Sequence, residues 1–175
     1  DRVEPPCPAV ALGCGGCDWQ HVAVERQAAL RSEIVTDALR RLGGLTDPGV
    51  RTGPAIDPVG TRNSLRLAVD AHRLGLRAAS SHDVIPLDDC LVAHPALAAL
   101  LVPGVVEPAK ATEMTLRVAL DAAGEPTARL LVASPTAEGV TAPDDVVVVG
   151  EDELDAGHRA WFHTHLAGAD LRVSA

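Results

Sequence analysis

A chain of 175 residues with 47% hydrophobic side chains is long enough for one apolar core and too hydrophobic to remain unfolded. Its two Trp, one Phe and no Tyr argue against a single-strand nucleic-acid binder built on several stacking rings, and a net charge of −9 argues against a free-standing electrostatic one. The charge is uneven, with nine arginines against six acids in residues 22–77 and five Lys or Arg against fifteen acids in residues 78–175. An anionic partner would therefore meet the first stretch, unless both are ordinary solvated faces.

In chain order, residues 1–21 combine Pro, Gly and three of the four cysteines without periodicity, which reads as a loop that needs a ligand to order it. A helix is predicted from about Val22 to Leu42. Leu30, Ile34, Ala38 and Leu42 fall four apart on one face, and Gly43-Gly44 follows as a stop signal. A connector, Thr46–Gly60, rich in Pro, Gly and Asp leads to an alternating strand, Ser64–Asp70, with Leu65, Leu67 and Val69 on one side and Arg66 and Asp70 on the other. A second strand is expected around Leu74–Ala78 and a third apolar run at Val84–Leu87. His94-Pro95 opens a short helix through Leu101, proline being suited to a first helical position. In the second half, Leu116, Val118 and Leu120 alternate, Gly124-Glu125-Pro126 turns the chain, and Ala128, Leu130 and Val132 alternate back. Val146–Val149, Trp161–Leu166 and Leu171–Ala175 read as further strands. The expected architecture is α+β: a mostly antiparallel sheet with one long and one short helix and a cysteine-rich N-terminal loop.

No apolar run approaches the roughly 20 residues that a bilayer requires, so no membrane partner is expected and a cytoplasmic location is. Reduced thiols there direct four cysteines towards metal or catalysis before disulfides. The start without methionine and the stop within a strand suggest a piece of a longer protein. No phosphate-binding glycine loop, zinc-protease helix or nucleophile elbow is present.

Cys7, Cys14 and Cys17 form C-x6-C-G-G-C, and Cys90 lies far off in sequence. Three thiolates on a loop plus one remote thiolate is a common cage for a [4Fe–4S] cluster, since soft sulfur suits iron and four ligands suit four irons. Gly15-Gly16 would let the backbone approach the cluster. Zinc remains an alternative, although structural zinc usually gathers two C-x2-C pairs and Cys90 has no such partner. A redox pair at Cys14 and Cys17 is also open, although the strand expected before it is absent. His163 and His165 share a strand face, as an exposed pair or as ligands in want of a third. His82 and His94 flank Cys90 and would either support the site or belong to the surface.

Cys14-Gly15-Gly16-Cys17-Asp18-Trp19-Gln20-His21 resembles the C-G-G-C-x-x-Q-H signature of the RNA uridine C5-methyltransferases. Gln27 follows at the matching distance, Thr61-Arg62-Asn63 resembles the family's Y-R-N element with Thr in place of Tyr, and Ser81–Cys90 resembles the segment that ends in the last cluster cysteine. Leu171–Ala175 is similar to the strand before the family's F-x-Q motif. The resemblance implies a central iron–sulfur domain, with residues 1–21 as the cluster-binding loop and residues 22–175 as the α+β body. It implies that Cys7, Cys14, Cys17 and Cys90 are the ligands. It further implies an RNA-binding barrel before this domain and, after residue 175, a domain that binds S-adenosylmethionine and carries the catalytic cysteine. No catalytic residue is then expected in these 175. Some members lack the cluster, so a structural or RNA-positioning role suits it. The parent protein would act as a monomer on uridine C5 of tRNA or rRNA, with Arg62 and Arg66 meeting RNA phosphate. The rival classes are a small iron–sulfur electron carrier and a zinc-stabilised interaction module.

Overall fold

Alternation in the first part of β1 (Ser64–Asp70) and of β4 (Glu113–Leu120) gives each strand one dry face, and the two pair antiparallel with Leu65 opposite Leu116 and Leu67 opposite Met114. The computed structural model describes every residue except Ala55, Ala167 and Ala175; Ala55 of the predicted connector and Ala175 of the predicted last strand thus lie outside the described residues. β2 (Arg73–Arg77), β3 (Val84–Pro86), β5 (Pro126–Ser134) and β6 (Val146–Gly150) complete a six-stranded sheet in the order β3-β2-β1-β4-β5-β6. Leu65, Leu67, Met114, Leu116 and Leu131 bury the dry face against Leu97, Leu100 and Leu101. These last come from α3 (Pro95–Ala98) and the 3-10 turn Ala99–Leu101.

The α+β reading is borne out, with differences of detail. α1 (Pro8–Ala11) and α4 (Glu151–Asp155) add short helices beyond the one predicted. β6 pairs parallel to β5, because residues 135–145 cross back before the strand begins instead of turning tightly. β7 (Trp161–Leu166) and β8 (Ala169–Ser174) form a separate antiparallel hairpin. It leans on the sheet through the Thr164 hydroxyl at the Leu120 amide (3.1 Å) and the Arg117 guanidinium at the Ser174 carbonyl (3.1 Å).

The long helix α2 (Val24–Gly43) matches its prediction and ends at Gly44, whose φ of 65° closes it in the left-handed region. Its apolar positions, however, contribute no buried residue to the core, and Ile34, Val35 and Leu42 stay exposed. Among the described residues no helix is long and apolar enough to cross a membrane.

Candidate functional site

The cysteine loop is closed at its base by backbone hydrogen bonds. The Val3 amide donates to the His21 carbonyl (3.1 Å) and the Ala23 amide to the Asp1 carbonyl (3.0 Å). Inside that ring, two glutamine side chains do the ordering. The Cys7 amide donates to Gln20 Oε1 (3.1 Å), while Gln27 Nε2 donates to the Trp19 (3.2 Å) and Val22 (3.0 Å) carbonyls. Cys7 then leads into α1, with Pro8 at its first position.

The tip of the loop lies along the end of β2. The Gly15 amide donates to the Arg77 carbonyl (3.0 Å), the Ala79 amide donates to the Gly13 carbonyl (3.0 Å), and Cys14 bridges to Ala78. A Cβ on Gly15 would stand 2.8 Å from the Arg77 oxygen, and one on Gly16 2.6 Å from Leu76 Cδ1. Gly15 is thus required by the close approach of the loop to the β2 backbone, whereas a Cβ on Gly16 would ask only the Leu76 side chain to shift, a distinction the spacing of cysteines alone does not reveal.

Cys90 lies in the turn before α3. Its amide donates to Asp89 Oδ1 (2.7 Å), and its carbonyl accepts from the Ala93 amide (2.9 Å). Burial pushes the Cys90 thiol above its ordinary value. The N–H groups of Val92 and Ala93, turned towards the sulfur, offset part of that rise, Cys17 adds to it, and Arg62 opposes it. Cys7 and Cys14 pack against the same apolar cluster that contains Cys90. All four thiols are free. As the side chains stand, no three Cys, His, Asp or Glu among the described residues are grouped closely enough to hold one metal ion.

Arg62 joins the two cysteine-bearing segments. Its backbone pairs with the stretch after Cys90, through Arg62 amide to Val92 carbonyl (2.8 Å) and His94 amide to Arg62 carbonyl (2.9 Å). Its guanidinium donates to the Gly16 carbonyl (3.2 Å). Arg66 is placed differently: it faces Glu113 on the open side of the sheet, with Nε 3.0 Å from Oε2, and Arg77 Nη2 approaches the other oxygen at 2.9 Å. This clamp holds the Glu113 carboxyl below its ordinary value, through the hydrogen bond from Arg66 first and that from Arg77 second.

Of the histidines singled out by sequence, His94 and His165 make side-chain contacts, while His82 and His163 accept hydrogen bonds from other side chains through their backbone carbonyls. His94 Nδ1 accepts from the Ala96 amide (3.2 Å) and caps α3, while His165 Nδ1 meets Asp170 Oδ1 at 2.9 Å. Sequence reading missed the roles of Gln20 and Gln27, although Gln20 stands inside the motif it quoted and Gln27 follows it at the matching distance. It also missed the cleft that Trp19 lines beside α2.

No family model matches the chain. It is 40% identical over 113 residues to an uncharacterised RNA methyltransferase of Streptomyces avermitilis, covering 57% of this chain and 26% of that protein. It is 39% identical over 106 residues to another from Streptomyces coelicolor, covering 53% and 23%. It is 41% identical over 107 residues to a 23S rRNA uracil-C5-methyltransferase of Halomonas elongata, covering 58% and 22%. The chain thus spans about a quarter of the length of the curated relatives it matches.

Proposed function

Because the chain belongs to the RNA methyltransferase family that these relatives represent, we propose that the protein containing it methylates uridine at C5 in RNA, with S-adenosylmethionine as methyl donor. Ribosomal RNA is the first substrate to test and tRNA the second. The observation that carries this reading is the similarity, over 58% of the chain, to an enzyme named for uracil C5 of 23S rRNA.

Within that protein, residues 1–21 form the cluster-binding loop of a central domain and Cys7, Cys14, Cys17 and Cys90 hold a [4Fe–4S] cluster. The donor set suits it: four free thiols, three on a loop whose backbone is already closed and a fourth with amides turned to its sulfur. One zinc ion would draw four sulfurs to 2.3 Å around a single centre. A cube gives each thiolate its own iron, which asks for a wider spread. The cluster would supply a rigid cross-link between the loop and the start of α3. This chain's own part is to orient the ligands, through Gln20 on Cys7, the Gly15-Gly16 packing on β2, and Arg62 between the two segments.

Arg62 and Arg66 are the proposed phosphate contacts. Arg62 comes first, since Arg66 already faces a carboxylate. Arg62→Lys keeps a cation but loses the guanidinium fork, and Arg62→Gln removes the charge. The glutamine variant should reduce the salt slope of RNA binding by about one. An unchanged slope removes Arg62 from the interface.

The decisive experiment purifies the full-length protein without oxygen and measures iron, sulfide and visible absorption beside methyl transfer to unmodified rRNA and tRNA. About four irons and four sulfides with broad brown absorption, and methyl label at uridine C5, are expected. One zinc without sulfide would overturn the cluster, and no transfer to either RNA would overturn the activity.

A further inference from the structure

A cleft of about 580 Å³ opens between the cysteine loop, the first half of α2 and the connector from Thr52 to Pro58. Its volume lies in the range of pockets that take small organic groups. Trp19, Arg31 and Arg62 line it. It brings two features together; the other Trp, Trp161, also has an arginine over its ring (Arg172, 4.2 Å) but does not line this cleft. The chain has three aromatic residues, none of them in the buried core, and one lines this opening. In addition, neither Arg31 nor Arg62 forms an ion pair among the described residues, a condition they share with several other arginines but here combined in one opening with a ring.

Trp19 is held from behind, its carbonyl accepting from Gln27 Nε2. The Arg31 guanidinium stands 5.4 Å from the centroid of the indole and is tethered by one hydrogen bond to Gln27 Oε1 (3.2 Å). A ring with a cation beside it, and a second cation without an ion pair lining the same cleft, matches a ligand that is flat, π-faced and anionic at its edge. An unpaired nucleotide has those properties, because unstacked bases lie on aromatic or guanidinium planes while their phosphates seek arginine. A neutral peptide would leave both guanidinium groups without an anion, and an acidic one would leave the ring without a flat π-faced partner.

Resting on the RNA methyltransferase reading, we propose that this cleft receives one unpaired base of the RNA substrate, stacked on Trp19, with Arg31 and Arg62 facing the flanking phosphates. Arg31 swings from the ring to the phosphate as the base enters. Asp18 and Asp57 also line the cleft. Their carboxylates disfavour phosphate nearby and leave acceptors for an exocyclic amine or a ribose hydroxyl. The scarcity of aromatic residues excludes a platform of several rings and leaves room for one.

The test compares Trp19→Phe with Trp19→Leu in the full-length protein, both retaining bulk beside the loop, with iron content measured to confirm that the loop is intact. The probe is a labelled single-stranded RNA containing the uridine that the wild-type protein methylates, and the readout is its dissociation constant. Trp19→Phe should bind within about threefold of wild type, and Trp19→Leu roughly 5- to 150-fold more weakly. Replacing single nucleotides by abasic residues should reveal one position that weakens wild type and leaves Trp19→Leu unchanged, as coupled partners do. Equal binding by the two variants, or no abasic position coupled to Trp19, overturns the cleft while methylation by the wild type preserves the parent reading. A wild type that neither binds nor methylates RNA overturns both.

Discussion

The sheet and the N-terminal region of this molecule are held by different forces. From Leu65 onward, leucines, valines and Met114 bury a continuous dry face. Among the described residues of the 64 before it, Ala9 alone reaches the buried core, and α2 adds nothing to it. What stands in place of a core there is a set of hydrogen bonds from Gln20, Gln27, Arg62 and the loop backbone. Each such bond contributes about 1 kcal/mol net. Ordering one residue costs about 1–2 kcal/mol, so these bonds alone do not hold a loop of this length. The comparison teaches that the sheet is self-sufficient in its core, whereas the cysteine loop has little of its own, which is why a cross-link is proposed there.

The largest effect expected is on the sheet. Leu67 is fully buried, and Leu67→Ala should destabilise the domain by about 2–5 kcal/mol in denaturant unfolding, with sheet and loop lost together. A loss below about 1 kcal/mol would mean that the dry face is not the core.

Next in size is the removal of the proposed cluster, by chelation or by Cys90→Ala. Amide exchange should rise across residues 3–21 and the first turns of α2, while β1, β4 and β5 keep their protection. Loss of protection in both regions at once would break the distinction drawn above. A smaller effect is expected from Gly15→Ala, whose Cβ would meet the Arg77 oxygen at 2.8 Å. It should cost about 1–3 kcal/mol and lower iron retention. Gly53→Ala, with nothing within 4 Å of its Cβ, serves as the neutral control.

How far the sequence was legible divides along the same line. Leu65, Leu67, Leu116 and Leu130 sit in alternating runs, so their strands could be read from a period of two. Val146–Val149 is apolar without alternation, and nothing local says whether it pairs parallel or antiparallel; its direction is set by the crossover that precedes it. α2 could be read from its fourfold spacing, but whether that face meets a partner is a tertiary matter, and here it does not join the core. At the site the cysteines were visible as a pattern. Gln20 and Gln27 were visible as motif positions but their roles were not, because they act on backbone groups of residues whose fold must be known first. The pairing of Arg66 with Glu113 joins residues on different strands, which no local pattern displays.

That pair supplies the smallest and most pointed test. Glu113 is clamped between Arg66 and Arg77 on the open face of the sheet, and its carboxyl is held below the ordinary 4.5. A carboxyl whose folded value is depressed stabilises the fold fully above its unfolded value. The contribution is lost as pH falls through the folded value. Glu113→Gln should therefore lower Tm by a degree or two near neutral pH, and the gap between variant and wild type should close as the pH is taken below about 4.5. The arginines are largely solvent-exposed, so salt should shrink the same gap. A gap that widens in acid would reverse the assigned direction. Because the clamp belongs to the self-sufficient sheet, iron retention by the loop should not change; a variant that also lost iron would show that Arg77, whose carbonyl holds Gly15, transmits the loss of its carboxylate partner to the cysteine loop.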